Sequence, residues 1–117
     1  MKFQKYIVLE KSNREFTFRC NYVEFHEDLI SQDEKKFVIG GGFFDIDTEN
    51  KIIKLWGRSC DFGSVPNKDD VFKSCFQNIL VSIQKYYFFT SGEKLNISEF
   101  KIVWKDELGE EHEITED

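Results

Sequence analysis

Apolar and polar residues alternate along the first part of the chain, a pattern typical of half-buried β-strands. One side of the first segment carries Phe3, Ile7 and Leu9. After a turn at Ser12–Asn13 the alternation resumes, which predicts a β-hairpin, through Phe16, Phe18, Cys20 and Tyr22. Lys5 falls on the same side of the first strand as Phe3 and Ile7, a side that should be buried. Either its stem lies along apolar surface with the charge in water, or the charge serves a site.

A second hairpin is predicted in the middle of the chain. The segment 24–36 leaves the second strand and is helix-prone. An apolar run at 37–39 continues into Gly40–Gly42, and the chain returns antiparallel through Lys51–Trp56. Three consecutive glycines in a strand indicate a bulge, or a place where another backbone or a ligand approaches closely.

The longest helical pattern follows Pro66. Its apolar residues recur at helical spacing and are Phe72, Cys75, Phe76, Ile79, Leu80, Ile83 and Tyr87. We expect Asn67 or Asp69 to cap the start of this helix and Ser91–Gly92 to end it.

Two further elements are predicted near the end of the chain. A last long strand covers 97–104, with 110–115 as a candidate short partner, and the acidic segment 109–117 is expected to fray. The element order β-β-α-β-β-α-β(-β) predicts an α/β (α+β) fold, with a mixed, largely antiparallel sheet of about six strands and two helices. A length of 117 residues corresponds to a single domain, 1–117.

Composition restricts the partners and the compartment. With 16 basic and 22 acidic residues the net charge is -6, which argues against a nucleic-acid partner held by bulk electrostatics. No segment approaches the roughly 20 apolar residues that cross a bilayer, so no membrane association is expected. The 3 cysteines form no C-x-x-C pair, which fits reduced thiols and supports no metal site. Reduced thiols fit a cytoplasmic location, and we expect a monomer.

Common phosphate-binding motifs are absent. The tyrosine-phosphatase loop needs an arginine at a fixed distance after its cysteine, and the three candidate positions hold His26, Pro66 and Val81. Gly40–Gly42 is not followed by the lysine and hydroxyl residue of a nucleotide P-loop.

Five segments nevertheless form a recognisable series: Lys5–Leu9, Val23–Leu29, Ile39–Gly42, Lys51–Ser59 and Phe100–Trp104. Their order and spacing resemble the protein-histidine phosphatase family, also called the Janus/Ocnus family. The second segment matches a Glu-Tyr-His-Ala-Asp-Ile-like stretch of that family. The segment 78–97 looks expanded relative to the family.

The resemblance implies a phosphohistidine-phosphatase-like domain that hydrolyses phosphohistidine or related phosphoramidates without a metal or cofactor. In the family, a histidine at the position of His26 acts as general base toward water, a role that suits an imidazole at neutral pH. Lys5 matches the family lysine that neutralises the phosphate, and Ser59 matches a serine that contacts it. Backbone amides of Cys60 and Asp61 would complete the phosphate cradle. The substrate would be a phosphorylated protein or a small phosphoramidate.

Some positions depart from the family pattern. Glu27 follows the histidine where the family has a small residue, and Asp61 likewise replaces a small residue. Carboxylates pointing inward beside a phosphoryl dianion would cost several kcal/mol at low dielectric. Arg19 lies one position out of register with a family arginine that borders the site. The structural alternative for His26 is a partly buried histidine bonded to a backbone carbonyl.

Two other functions stay open. A non-catalytic binding module, of the inhibitor or immunity type, would hold a basic partner through the acidic surface and the 78–97 segment. A redox-sensing thiol protein would centre on Cys60, with Arg58 offsetting the charge of Asp61.

Overall fold

The computed structural model describes residues 1–116, and Asp117 lies outside them. The strands are β1 (Phe3–Ser12), β2 (Glu15–Val23), β3 (Val38–Asp47), β4 (Ile52–Trp56), β5 (Lys101–Lys105) and β6 (Glu111–Ile114). The helices are α1 (Lys68–Ser74) and α2 (Phe76–Ser91), and three 3₁₀ helices occupy His26–Leu29, Gln32–Phe37 and Ile97–Glu99. None of the helices in the described part is long and apolar enough to span a bilayer.

The strands form a six-stranded sheet in the order β2-β1-β3-β4-β5-β6. Four of the five neighbouring pairs are antiparallel, whereas β4 and β5 are parallel. Parallel strands need a crossover connection, and α1 and α2 lie within it. The predicted α+β fold, with a mixed and largely antiparallel sheet of six strands and helices, is confirmed.

The centre of the sheet is covered on both faces. Tyr6 and Val8 point into the main core, together with Phe18, Phe44, Ile53, Leu55, Phe72, Ile79, Ile83 and Ile102. Ile7 and Leu9 alternate with them on the opposite face and are also fully buried. The first two 3₁₀ helices contact β1. The sequence predicted one buried side for this strand, but β1 lies inside the sheet with helical turns over its second face.

The triple glycine lies at the bulge and the close approach that the sequence predicted. The β1–β3 register shifts between Val8 and Leu9, opposite Gly40. A Cβ atom on Gly41 would lie 2.5 Å from the backbone oxygen of Tyr6. A Cβ atom on Gly42 would lie 2.5 Å from the backbone oxygen of Trp56. Glycine is therefore required because the neighbouring backbones leave no room for a side chain.

The helical segments differ in detail from the sequence predictions. The helix-prone segment 24–36 forms two short 3₁₀ helices, which suits a stretch with no sustained apolar stripe. The long helical pattern is interrupted at Cys75, whose φ of -111° and ψ of 25° separate α1 from α2. Asn67 is the N-cap, but its side chain donates and accepts no capping hydrogen bond. Gly92 ends α2 in the left-handed conformation, at φ 75°.

The end of the chain is more ordered than expected. The predicted strand over 97–104 begins only at Lys101, because Ile97–Glu99 forms a 3₁₀ turn. Fraying of 109–117 is wrong for Glu111–Ile114, which forms β6 as the candidate short partner of β5. Ile114 is only 4% exposed, since its side chain packs into the main core. The prediction for Asp117 lies outside the described residues.

Candidate functional site

His26 starts the first 3₁₀ helix, at the point where the chain leaves β2. Two reciprocal hydrogen bonds fix this turn: the Asp28 amide donates to the Phe25 carbonyl, and the Phe25 amide donates to the Asp28 carboxylate, both at 3.0 Å. The turn directs the imidazole toward β3, where it is 5% exposed. The position of the imidazole therefore depends on local capping directly after β2.

A backbone carbonyl selects the tautomer of His26. Its Nε2 lies 2.8 Å from the carbonyl oxygen of Gly42, and because a carbonyl only accepts, Nε2 must carry the hydrogen. In the neutral ring the basic lone pair is then on Nδ1. Nδ1 has no hydrogen-bond partner within residues 1–116. No fully buried polar side-chain atom there lacks a partner, so Nδ1 reaches solvent.

Burial lowers the pKa of His26 below its ordinary 6.5. The hydrogen bond to Gly42 opposes this shift, the positive charge of Lys5 adds to it, and the negative charge of Asp61 opposes it. The net effect leaves the imidazole neutral at pH 7, the form that accepts a proton.

Lys5 lies beside His26 rather than in open solvent. The lysine is 8% exposed, and its ammonium donates to the backbone carbonyl of Glu24. Within residues 1–116 no carboxylate lies at ion-pair distance from it. Two aromatic rings, Phe3 and Phe43, lie 6.0 and 5.9 Å from the ammonium nitrogen. The ammonium is thus held at a backbone carbonyl rather than extended into water.

Ser59 shapes its own loop. The residue is 1% exposed, and its hydroxyl oxygen accepts the amides of Asp61 at 3.2 Å and Phe62 at 3.1 Å. The hydroxyl is therefore used inside the loop, and so is the Asp61 amide, one of the donors that the family resemblance assigned to the cradle. The amide of Cys60 has no hydrogen-bond partner within residues 1–116. Cys60 itself is exposed.

Gly41 connects this loop to the histidine. Its amide donates to the Gly63 carbonyl at 3.0 Å, which ties the Ser59–Gly63 loop to β3. A Cβ atom on Gly41 would also lie 3.2 Å from Cδ2 of His26. The imidazole and the loop thus meet over the same glycine. We call the group formed by Lys5, His26, Phe43 and the Ser59–Gly63 loop the His26 cluster.

The remaining candidates are placed differently. Glu27 forms an ion pair with Lys35 at 3.3 Å, and its side chain is 46% exposed, so this carboxylate is engaged on the surface. Asp61 is exposed but close enough to raise the pKa of His26. Arg19 binds the two carboxylate oxygens of Glu34 at 2.7 and 2.5 Å, which links β2 to the second 3₁₀ helix.

Sequence reasoning missed Phe43. Its ring centroid lies 5.5 Å from that of His26. The Phe43 ring also stacks on the indole of Trp56, with the centroids 4.9 Å apart. Phe43 pairs with Lys5 in the β1–β3 register. Phe43 reaches the cluster only through this pairing of β1 with β3. In the sequence, the one feature that could have indicated Phe43 was its position directly after the triple glycine.

A cavity lies next to the His26 cluster, and none of the residues of the cluster lines it. It has a volume of about 990 Å³ and lies where β4 and β5 end. Trp56 and Trp104 line it, whereas none of the predicted site residues does. We call it the tryptophan cavity.

A group of possible metal ligands also lies outside the cluster. Asp106, Glu110 and His112 bring their ligand atoms within 4.8 Å of one another. His112 already donates to the Asp106 carboxylate at 2.8 Å, and the Glu110 amide donates to it at 2.9 Å. These bonds account for the grouping without an ion.

Comparison with known proteins gives one family. The model of the Janus/Ocnus family matches residues 1–80, from β1 into α2. This match includes Lys5, His26 and Ser59 but not the Phe100–Trp104 segment. No curated protein matches the chain. Because the family model covers more than half of the 117 residues, the chain belongs to the Janus/Ocnus family.

Proposed function

We propose that this protein is a small phosphatase that hydrolyses phosphohistidine or a related phosphoramidate and needs no metal. The observation that carries the proposal is the state of His26. Its ring is neutral at pH 7, its Nε2 hydrogen is held by Gly42, and its basic Nδ1 has no partner within residues 1–116 and is not fully buried. A fixed tautomer with a free basic nitrogen is what general-base catalysis requires.

In the proposed reaction, Nδ1 takes a proton from a water molecule as the water oxygen attacks phosphorus. The new O–P bond forms, the P–N bond breaks, and the leaving nitrogen takes a proton from solvent. The ammonium of Lys5 stabilises the charge on the phosphoryl oxygens, because no carboxylate in the described chain neutralises it. The unpartnered amide of Cys60 offers one further donor.

The two acidic departures from the family pattern have unequal effects. Glu27 is paired with Lys35, so its charge is partly balanced away from the cluster. Asp61 keeps its charge near His26, where it repels a phosphoryl dianion and raises the basicity of the imidazole. Its exposure to solvent limits the repulsion.

The test is release of inorganic phosphate from a phosphohistidine peptide in the presence of EDTA. The chain has 2 histidines, so His112→Asn is a matched control for His26→Asn. We expect His26→Asn to lower kcat by about 100-fold or more, and His112→Asn to leave it nearly unchanged. Absence of hydrolysis by the wild type, or equal rates for His26→Asn and wild type with both folded, would overturn the proposal.

A binding module is the second candidate, and one observation favours it. Phe88 and Phe89 near the end of α2 are 56% and 89% exposed, and both lie beyond the segment that matches the family. Exposed aromatic pairs are typical of interaction sites. This function predicts that Phe88→Ser/Phe89→Ser releases a bound basic protein partner without changing phosphate release. Capture that is unaffected by this double substitution would count against it.

A further inference from the structure

The tryptophan cavity carries charge that the His26 cluster does not use. Arg58, Lys68 and Lys105 line it, and none has a carboxylate at ion-pair distance among the described residues. Three carboxylates line the same wall: Asp45 accepts the Trp56 indole hydrogen at 2.8 Å, Asp106 is paired with His112, and Glu107 has no cation at ion-pair distance among the described residues. With Lys54, which is paired with Glu111, four cations and three carboxylates line this cavity, and in a chain of net charge -6 this local excess of positive charge favours an anionic ligand.

The cavity is too large for a phosphoryl group alone. Its volume of about 990 Å³ lies at the upper end of the usual range for ligand pockets. Trp56 contributes a partly exposed indole, 40% accessible, to its wall. Carboxylates in the same wall would repel a densely charged polyphosphate, but they are compatible with a peptide, which offers amide hydrogens as well as acidic side chains. An acidic peptide is therefore the ligand class that fits best.

Trp56 joins the cavity to the His26 cluster. One indole face stacks on Phe43 with centroids 4.9 Å apart, and Phe43 lies 5.5 Å from the ring of His26. The two ring contacts place the Trp56 indole no more than about 10 Å from the ring of His26, which about three residues of extended chain would span. Phe3 and Phe25 are 48% and 52% exposed, and they adjoin the cluster through Phe43 and through His26. A polypeptide with its phosphohistidine at His26 would thus have exposed aromatic side chains beside the reacting group.

We infer that the tryptophan cavity binds an acidic segment of the polypeptide that carries the phosphohistidine, close to the phosphohistidine in sequence. This inference rests on the proposed function, and it makes the substrate a phosphorylated protein rather than a free phosphoramidate. Lys68 and Lys105 bind the acidic side chains, and the indole of Trp56 contacts the chain between them and the reacting group.

The test compares two peptides and one small substrate on the full chain. One peptide has a central phosphohistidine with glutamates on both sides, its partner has glutamines at the same places, and the small substrate is the phosphoramidate ion. The variant is Lys68→Gln/Lys105→Gln, and Lys85→Gln/Lys94→Gln is the control with the same change of charge at exposed positions outside the cavity. We expect the cavity variant to lower kcat/KM for the glutamate peptide by about three- to tenfold. Its kcat/KM for phosphoramidate should stay unchanged, and the control should match the wild type.

Binding separates failure of this inference from failure of the proposed function. Both of the chain's 2 tryptophans line the cavity, so intrinsic fluorescence reports its occupation directly. Titration with the unphosphorylated glutamate peptide should change the fluorescence of the wild type at lower concentration than the glutamine peptide does. If the wild type hydrolyses nothing but this difference is seen and lost in the cavity variant, the binding site stands without the phosphatase. If both peptides titrate alike, or the cavity variant behaves as the wild type, the inference is overturned.

Discussion

His26 donates its Nε2 hydrogen to the carbonyl oxygen of Gly42 at 2.8 Å, across the gap between the end of β2 and the middle of β3. This bond fixes which nitrogen of the ring is basic, and it is made to a backbone atom that no side-chain change at position 42 removes. The next glycine, Gly41, supplies the space for the ring and the amide that holds the Ser59–Gly63 loop. Two adjacent residues of β3 thus position both parts of the His26 cluster.

Gly41→Ala should destabilise the protein. The steric clash of the new Cβ atom should outweigh the stabilisation that comes from a less flexible unfolded chain. The new Cβ atom would lie 2.5 Å from the Tyr6 backbone oxygen, and a backbone atom inside a sheet cannot move aside. We expect a loss of about 2 kcal/mol or more in the free energy of unfolding, measured by urea denaturation. Gly92→Ala is the comparison, because its Cβ atom meets nothing within 4 Å and suffers only from a φ of 75°. Gly92→Ala should lower the free energy of unfolding by about 1 kcal/mol. Equal losses for Gly41→Ala and Gly92→Ala would contradict the steric argument.

The imidazole of His26 should titrate below pH 6.5, because burial and then Lys5 disfavour its protonated form. Proton-accepting activity is therefore present above that depressed pKa and is lost as the pH falls through it. Lys5→Met removes a nearby positive charge and should move the pKa up, whereas Asp61→Asn removes a negative charge and should move it further down. NMR titration of the two imidazoles measures this, with His112→Asn to assign them. A pKa of His26 at or above 6.5, or shifts of the same sign in both variants, would refute the electrostatic description.

Arg19→Met should weaken the attachment of the two 3₁₀ helices to β2. Arg19 holds Glu34 with two short bonds and also donates to the Leu29 carbonyl at 3.3 Å. The Arg19 guanidinium, with Ser31 and Lys11, holds the pKa of Glu34 well below its ordinary 4.5. The stabilisation is therefore fully present above pH 4.5 and is lost as the pH falls below it.

Hydrogen exchange of the amides in 26–37, compared at pH 7 in wild type and variant, measures the effect. Arg14→Met is the matched control, because the Arg14–Asp70 pair is exposed on both sides and joins no element to the His26 cluster. Exchange in this segment should accelerate in Arg19→Met and not in Arg14→Met. Equal protection in both variants would show that the ion pair does not hold the segment.

One thiol should react in the folded protein. Cys60 is exposed, whereas burial raises the pKa values of Cys20 and Cys75 to about 12 and keeps both as protonated thiols at neutral pH. A thiol reagent at pH 7 should label one site per chain, rising to the full 3 in denaturant. Cys60→Ser should leave no fast site. Rapid labelling of the buried Cys75 in the native state would mean that the core opens readily between α1 and α2, and rapid labelling of Cys20 would mean that half-burial on β2 does not protect a thiol.

The sequence predicted the hairpins, the helical segment after Pro66 and the glycine bulge because each depends on local periodicity or on one residue type. It also placed Lys5 on a buried strand face next to apolar neighbours. It did not predict that Tyr6–Leu9 would all be buried, since that depends on which segments cover the second face of β1. Fraying of the acidic end was wrong for Glu111–Ile114, because pairing with β5 and burial of Ile114 outweigh the charge of the flanking residues.

The sequence by itself determined the α+β class and the membership of the chain in the Janus/Ocnus family, because spacing and composition carry both. Tertiary structure decided the chemistry of the candidate site. The choice of the basic nitrogen in His26, the engagement of Glu27 by Lys35, and the use of the Ser59 hydroxyl inside its own loop all depend on atoms distant in sequence or on exact loop geometry. Hydrogen bonds and ion pairs form over a few ångströms. They therefore depend on how the strands and loops are arranged in the tertiary structure.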